Sequence, residues 1–192
     1  MTVRRGPRIV LLGKQGSGKG TQGERLARHF QMQHLSTGQM FRDSAAVGVS
    51  AGLEAKAFMD RGELVPDDLV VAVVAERFGN RSEVEPGFVL DGFPRTEQQA
   101  LELDTILSDQ PLHAVIDLEV PTDVVVDRMR ARGREDDTEE SIRRRLELYD
   151  TETRPLVEFY RDRSVLVTVN GLGTEDEVQD RLLAAVAPRF TA

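Results

Sequence analysis

Cysteine is absent from this chain of 192 residues, which excludes disulfide bonds and metal sites built from thiolates. The sequence also has no run of twenty apolar residues, and its N-terminus lacks the apolar stretch of a signal peptide. A net charge of −8 argues against binding nucleic acid through a broad basic surface. We therefore expect a soluble, cytoplasmic protein that binds neither membranes nor nucleic acids.

Lysine is scarce, since it supplies only three of the 25 basic residues. Two of the three, Lys14 and Lys19, lie in one glycine-rich segment. The other basic residues are arginines, with clusters at 128–134 and 143–145. Arginine can bind two phosphate oxygens at once through its planar guanidinium. A general bias towards arginine is the competing explanation, so only arginines that other signals place at a site are counted.

The most informative segment, residues 13–22, reads GKQGSGKGTQ. It follows an apolar run at 9–12 that predicts a buried strand, and it leads into a helical pattern at about 20–30. A strand, a glycine-rich turn, a lysine and a helix are the layout of a phosphate-binding loop, in which backbone N–H groups surround a phosphate. A flexible turn with a surface lysine is the alternative, and the flanking elements argue against it.

Apolar runs and helical patterns alternate along the chain. Strands are expected at 9–12, about 33–35, 88–90, 114–118 and 165–169, and helices at about 20–30, 96–108, 122–131, 138–152 and 174–187. This alternation predicts a parallel sheet covered on both faces, with ligands at the carboxyl ends of its strands. Residues 38–80 show only helical periodicity and predict an inserted helical lobe. Asp137 and Glu140 predict a capping box for the helix at 138–152.

A carboxylate ends the apolar strand at 88–90. Asp91 is followed by Gly92, and an isolated strand that ends in Asp-Gly usually marks a turn. Beside a glycine-rich loop on a neighbouring strand, the same pattern is typical of the acidic strand that holds Mg²⁺ through water. We therefore predict that Asp91 is the magnesium ligand.

Together with three further segments the pattern matches one family. Three segments and one feature of the loop resemble adenylate kinase in order and spacing, over nearly the whole chain. The segments are HLSTGQMFR at 34–42, RGELVPD at 61–67 and DGFPR at 91–95, and the loop feature is Gly20-Thr21 after the lysine. The resemblance implies a phosphate-loop NTPase-type α/β fold, with a five-stranded parallel sheet flanked by helices. It further implies one kinase domain over 1–192, divided into a core (1–36, 81–131 and 138–192), a lobe that binds the nucleoside monophosphate (about 37–66) and a short lid (about 132–137).

The resemblance also implies the chemistry: a Mg²⁺-dependent enzyme, expected to be a monomer, that interconverts ATP plus AMP and two ADP. The ATP site would comprise Gly16, Ser17, Gly18, Lys19, Gly20, Thr21, Arg128 and Gly173. The AMP site would comprise Thr37, Arg42, Met59, Glu63, Leu64, Val65, Gly92, Phe93, Arg95, Gln99, Arg134 and Arg145. The catalytic charges would be those of Lys19, Arg95, Arg132, Arg134 and Arg145, whereas Arg130 is expected at the surface.

Some positions depart from the family pattern or leave alternatives open. Gln15 replaces a frequent proline, and Gln39 replaces the acidic residue that usually follows Thr-Gly, unless it hydrogen-bonds in the same place. Thr37 and Gln99 favour AMP, because related uridylate/cytidylate kinases tend to carry alanine and asparagine there. A UMP/CMP kinase and a nucleotide-binding regulator without turnover are the alternatives. The complete set of site charges favours an enzyme over the regulator.

Overall fold

The computed structural model describes residues 6–80, 84–108 and 110–190. Five parallel strands form one sheet in the order β2-β3-β1-β4-β5. The strands are β1 (Arg8–Leu12), β2 (Gln33–Ser36), β3 (Phe88–Asp91), β4 (Ala114–Glu119) and β5 (Leu166–Asn170). The helices are α1 (Lys19–Phe30), α2 (Thr37–Ala46), α3 (Ser50–Asp60), α4 (Asp67–Gly79), α5 (Glu97–Leu107), α6 (Thr122–Arg132), α7 (Glu139–Leu148), α8 (Pro155–Asp162) and α9 (Glu175–Val186).

The central strand β1 shows why the sheet is buried on both faces. Ile9 and Leu11 pack in one apolar cluster with side chains of α1 and α9, among them Leu26 and Leu182. Val10 and Leu12 face the opposite side, in a second cluster with side chains of α4, α5 and α8. Continuous apolar runs are typical of parallel strands covered by helices on both faces. The predicted five-stranded parallel sheet flanked by helices is therefore confirmed.

Residues 37–80, which follow β2, are mainly helical, as the periodicity at 38–80 predicts. They contain α2, α3 and α4, of which α2 and α3 pack against each other. The core boundary predicted at residue 81 and both chain ends lie outside the described residues. In the part of the chain that the structure describes, no helix has the length and apolar character needed to cross a membrane.

The segment that follows α6 corrects two expectations. The helix predicted at 138–152 ends at Leu148, and a π-helical turn, Tyr149–Thr153, leads to Pro155 at the start of α8. The capping box predicted from Asp137 is wrong, because Thr138 is the N-cap residue and its hydroxyl accepts the Ser141 N–H at 3.2 Å. The carboxylate of Asp137 binds arginines instead.

Candidate active site

The glycine-rich loop joins β1 to α1 at the carboxyl edge of the sheet. Gly18 precedes α1 with φ +101°, and Gly16 has φ +85°. A Cβ at Gly16 would lie 2.7 Å from the Val125 carbonyl oxygen of α6, so a side chain fits there neither sterically nor conformationally. The first turn of α1 carries no acidic residue, which leaves its positive dipole end available to an anion. The loop therefore has the predicted layout.

Lys19 lies at the start of α1 and points back into the loop. Its Nζ donates to the carbonyl oxygens of Gly13 at 2.7 Å and Lys14 at 2.8 Å. The pKa of Lys19 is lowered to about 8, chiefly by burial, although the Asp91 charge acts in the opposite direction. The charges of Arg95 and Arg132 contribute to the lowering. An anion beside the ammonium group would counter these effects, so the site favours anionic ligands.

A cavity of about 740 Å³ opens in front of the loop. Three carboxylates line it, namely Glu24, Asp43 and Asp91. The cationic side chains that line it are far more numerous: Lys19, Arg42, Arg77, Arg95, Arg128, Arg132, Arg134 and Arg145. Such an excess of positive charge in a cleft attracts polyanions. All the residues predicted to be catalytic therefore line one cavity.

A smaller cavity of about 60 Å³ adjoins the first and shares Arg42, Arg95 and Arg145 with it. Apolar side chains form much of its wall, including Phe41 and Val70. The predicted AMP-site residues that line it are Thr37, Arg42, Met59, Glu63, Leu64, Val65, Gly92, Arg95, Gln99 and Arg145. Apolar walls beside a few polar groups suit a base, whereas the larger cavity suits phosphates.

Three predicted site residues do not line either cavity. The Ser17 hydroxyl is buried without a hydrogen-bond partner, and the Phe93 side chain is fully buried in the core. Gly173 lies in the turn before α9 with φ +111°. Arg128 donates to the carbonyl oxygens of Ser17 at 3.2 Å and of Gly171 at 3.3 Å. It therefore ties α6 to the glycine-rich loop and to the segment just before Gly173.

Arg145 is held by two carboxylates and a backbone carbonyl oxygen. Its Nη1 donates to Asp137 at 2.8 Å, and its Nη2 forms an ion pair with Asp136 and donates to the Met59 carbonyl oxygen at 2.8 Å. The guanidinium therefore links α7 to the end of α3. On the same helix Arg143 and Arg144 are exposed, as helical geometry requires for adjacent residues. The sequence indicated Arg145 but not its two carboxylate partners.

Asp137, in the segment between α6 and α7, binds one arginine of each helix, Arg132 and Arg145. Its carboxylate accepts two hydrogen bonds from Arg132, at 2.8 and 2.9 Å, and one from Arg145. Burial alone would raise the pKa of Asp137, but the Arg132 hydrogen bonds and both guanidinium charges together lower it. Arg130 points outward to Glu139 instead, as expected for a surface residue.

The turn between β3 and α5 holds Arg95. The Arg95 Nε donates to the Gly92 carbonyl oxygen at 2.9 Å, and the Arg95 carbonyl oxygen accepts the Thr153 hydroxyl at 2.9 Å. Burial lowers the pKa of Arg95, while the Asp91 charge raises it. Thr153 and Tyr149 of the π-helical turn also line the larger cavity. Sequence reasoning missed both residues, since Tyr149 fell within the helix predicted at 138–152 and Thr153 lay just after it.

Gln39 makes hydrogen bonds where the family usually carries a carboxylate. Its Oε1 accepts from the Arg42 guanidinium at 3.0 and 3.3 Å, and its Nε2 donates to Asp43 at 2.7 Å. The neutral amide thus orients Arg42 without neutralising its charge.

Asp91 ends β3 beside α1, and its Oδ2 would lie 3.9 Å from a Cβ at Gly20. Within residues 6–80, 84–108 and 110–190, no group of three His, Asp or Glu side chains is arranged to hold a metal ion. Mg²⁺ is commonly bound by one or two carboxylates together with substrate phosphates and water. The Asp91 carboxylate, at the edge of a cationic cavity, fits that mode of binding.

Comparison with known proteins agrees with this geometry. The sequence model of the family described as Adenylate kinase matches residues 11–165. An adenylate kinase of Xylella fastidiosa (strain 9a5c) is 43% identical over 185 residues, which cover 93% of this chain and 98% of the relative. Those of Stenotrophomonas maltophilia (strain R551-3) and Corynebacterium aurimucosum are 45% and 48% identical with the same coverage. The predicted enzyme class, a phosphotransferase, is confirmed, and the chain belongs to the adenylate kinase family.

Proposed function

We propose that this chain transfers the γ-phosphoryl group of MgATP to AMP, reversibly, and so balances the adenine nucleotides of the cell. The observation that carries the proposal is the convergence of Lys19, Asp91 and several arginines on one cavity. In the reaction, a phosphate oxygen of AMP forms a bond to the γ-phosphorus of ATP, and the bond from that phosphorus to the bridging oxygen breaks. Both products are ADP.

The loop and the helices around it would divide the two substrates between them. ATP would bind at Gly16, Ser17, Gly18, Lys19, Gly20, Thr21, Arg128 and Gly173. AMP would bind with its base in the smaller cavity and its phosphate towards Arg42 and Arg95. This arrangement puts the two reacting phosphates in the larger cavity, where positioning alone removes much of the barrier.

Charge stabilisation is the main chemical task of the site. The transition state of phosphoryl transfer spreads negative charge over the oxygens of the transferred group. Lys19, Arg95, Arg132, Arg134 and Arg145 would provide the countercharge. A general base is unnecessary, because the acceptor phosphate is already ionised. In agreement, burial lowers the pKa of His34, the histidine that lines the cavity, and so makes its imidazole a weaker base.

Asp91 is the residue that would hold Mg²⁺ through water, and the bound ion would supply further countercharge to the phosphate oxygens. Replacing Asp91 with asparagine keeps the shape but removes the charge. We expect turnover to fall by roughly 10- to 100-fold, the range for residues that support a metal site, and half-maximal activity to need more Mg²⁺. ADP formation measured against Mg²⁺ concentration provides the test.

The matched control for Asp91→Asn is Glu24→Gln, which removes an exposed carboxylate from the wall of the same cavity. It should leave the Mg²⁺ dependence unchanged. If the Mg²⁺ concentration needed for half-maximal activity rose equally in both variants, or did not rise in Asp91→Asn, Asp91 would not support the ion.

The low pKa of Lys19 predicts how ATP affinity depends on pH. Bound phosphate favours the charged ammonium and so raises the pKa above its value of about 8 in the free protein. The affinity for ATP is therefore highest below pH 8 and falls as the pH rises above 8, by up to about tenfold per pH unit. Calorimetric titration with ATP from pH 7 to about 9.5 measures the slope. Lys19→Met should bind ATP weakly with no such slope, and an equal slope in that variant would assign the titration elsewhere.

We also propose that residues 37–66 form the monophosphate lobe and residues 132–137 the lid, over a core of 1–36, 81–131 and 138–192. Two contacts support this division. Arg145 reaches the Met59 carbonyl oxygen, and Gly62, with φ +72°, lies so close to Ser141 that a Cβ would be 2.6 Å from its carbonyl oxygen. The lobe and the helix after the lid therefore enclose the cavity together, which would exclude water from the reaction.

The smaller cavity favours AMP over the pyrimidine acceptors of a UMP/CMP kinase, since Thr37 and Gln99 both line it. A monomer in the cytoplasm completes the proposal. A coupled assay of ADP formation, with ATP and Mg²⁺ and with AMP, UMP, CMP or GMP as acceptor, tests the choice. Preference for AMP supports the proposal, and preference for a pyrimidine overturns it.

A further inference from the structure

The Gln99 amide is held at both ends by groups of opposite hydrogen-bonding character. Gln99 is 1% exposed and lies in the first turn of α5. Its Oε1 accepts the backbone N–H of Arg95 at 2.8 Å, and its Nε2 donates to Asp67 Oδ1 at 2.6 Å. A backbone N–H can only donate, and a carboxylate can only accept.

These two partners determine which way the amide faces. In the flipped orientation, the NH₂ group would meet the Arg95 N–H and the amide oxygen would meet the Asp67 carboxylate. Both contacts would be repulsive. The observed orientation is therefore the one that the chemistry of the partners requires.

Asp67 is itself fixed by the start of α5. It is the first residue of α4, and its Oδ2 accepts the Thr96 hydroxyl at 3.2 Å. The Thr96 hydroxyl oxygen also accepts the Gln99 backbone N–H at 3.2 Å, as the N-cap of α5. One carboxylate thus binds both the cap and the first buried side chain of this helix.

The bound amide keeps part of its hydrogen-bonding capacity. An amide has two N–H donors and two lone pairs on oxygen, and the two contacts use one of each. One donor and one acceptor remain in a defined order on a residue that lines the smaller cavity together with Thr37, Met59 and Val65. The edge of adenine offers the matching pair, an acceptor at N1 and a donor at N6. A 6-oxopurine offers the reverse, a donor at N1 and an acceptor at O6.

We propose that Asp67 is a specificity-determining residue, which locks the Gln99 amide in the orientation that accepts 6-aminopurines and rejects 6-oxopurines. The inference rests on the proposed function, since it assumes that the base of the acceptor nucleotide enters the smaller cavity. Asp67 acts through Gln99 and so is a positioning residue.

The test compares AMP with inosine monophosphate, which has the same sugar and phosphate but a 6-oxo base. In Asp67→Asn, the new amide can turn either its oxygen or its nitrogen towards Gln99, so one of the two contacts that oppose the flip is removed and only the Arg95 N–H remains. The matched control is Asp68→Asn, which removes the adjacent, exposed carboxylate of the same helix start. Both acceptors are assayed for kcat and KM with saturating MgATP.

We expect the wild-type protein to prefer AMP by about 10³ or more, because the wrong base leaves buried polar groups unpaired. Asp67→Asn should reduce this ratio at least tenfold, through a higher KM for AMP and a lower KM for inosine monophosphate, with kcat for AMP little changed. Asp68→Asn should keep the ratio. Should Asp67→Asn fail to fold, Asp67→Ser replaces it, because serine can also both donate and accept.

An unchanged preference for AMP over inosine monophosphate in Asp67→Asn, whether activity is kept or is lost equally with both acceptors, would overturn the inference. Asp67 would then be a purely structural contact. Failure of the wild-type protein to make ADP from AMP would instead contradict the proposed function. The two failures are therefore distinguished by different samples in one assay.

Discussion

Replacing Arg95 with alanine is expected to lower kcat/KM for AMP by a factor of about 10³ or more, in the range for an arginine that stabilises phosphoryl transfer. The Arg95 guanidinium lines both cavities, so it can reach the acceptor phosphate and the transferred group. Its position is fixed by hydrogen bonds at Nε, at the backbone N–H and at the carbonyl oxygen. Steady-state kinetics with AMP varied at saturating MgATP measures the loss.

Two further variants complete the test: one separates charge from geometry at residue 95, and the other is a control at the surface. Arg95→Lys keeps the charge but not the planar fork, so we expect it to recover only part of the activity. Arg143→Ala removes an exposed arginine beside the buried Arg145 and should keep wild-type kinetics. If Arg95→Ala retained activity within a few-fold of wild type, the acceptor phosphate would bind elsewhere.

Lys19→Met is expected to reduce turnover by about 10³, the effect of removing one preorganised donor from a developing charge, and yet to stabilise the fold. The ammonium group is partly buried and is repelled by the charges of Arg95 and Arg132; together these effects lower its pKa from 10.5 to about 8. At pH 7 the folded protein must hold that charge at an energetic cost. Methionine avoids it, and we expect a gain of about 1–3 kcal/mol in the free energy of unfolding.

The pH dependence of this gain has a definite sign. Between pH 8 and 10.5 the unfolded wild-type chain binds more protons at Lys19 than the folded one, so wild-type stability rises with pH. The methionine variant lacks this contribution, and the difference in stability should shrink across that interval. Urea unfolding at several pH values measures it. The control is Lys14→Met, because Lys14 lies in the same loop but donates a hydrogen bond to the Thr122 hydroxyl. A Lys19→Met protein less stable than wild type would contradict the prediction.

Local patterns made the sheet and the phosphate-binding loop predictable from sequence. The run at 9–12 lies in β1, and Gly13, Gly16 and Gly18 after it adopt positive φ angles that only glycine tolerates well. Asp91 ends β3 as its sequence suggested. In each case the signal lies within about ten neighbouring residues, where periodicity and turn chemistry operate.

The contacts that order the site join residues far apart in the chain, and no local pattern encodes them. Arg145 donates to the Met59 carbonyl oxygen 86 positions away, and Gln99 donates to Asp67 across 32 positions. Asp137 shows a different kind of error. Its spacing to Glu140 predicted a helix cap, but Arg132, five positions before it, and Arg145, eight positions after it, bind its carboxylate. Ion pairs with the two flanking helices thus overrode the capping preference.

The central claim, direct transfer between two nucleotides in one cavity, is tested most directly by following the label from ATP that carries ³²P in its γ-phosphate. The protein is incubated with this ATP, AMP and Mg²⁺, and the early products are separated. The account predicts that the label appears in the β-phosphate of ADP and that inorganic phosphate stays at the background level. Label released as inorganic phosphate, or no transfer by a protein that still binds ATP, would contradict it.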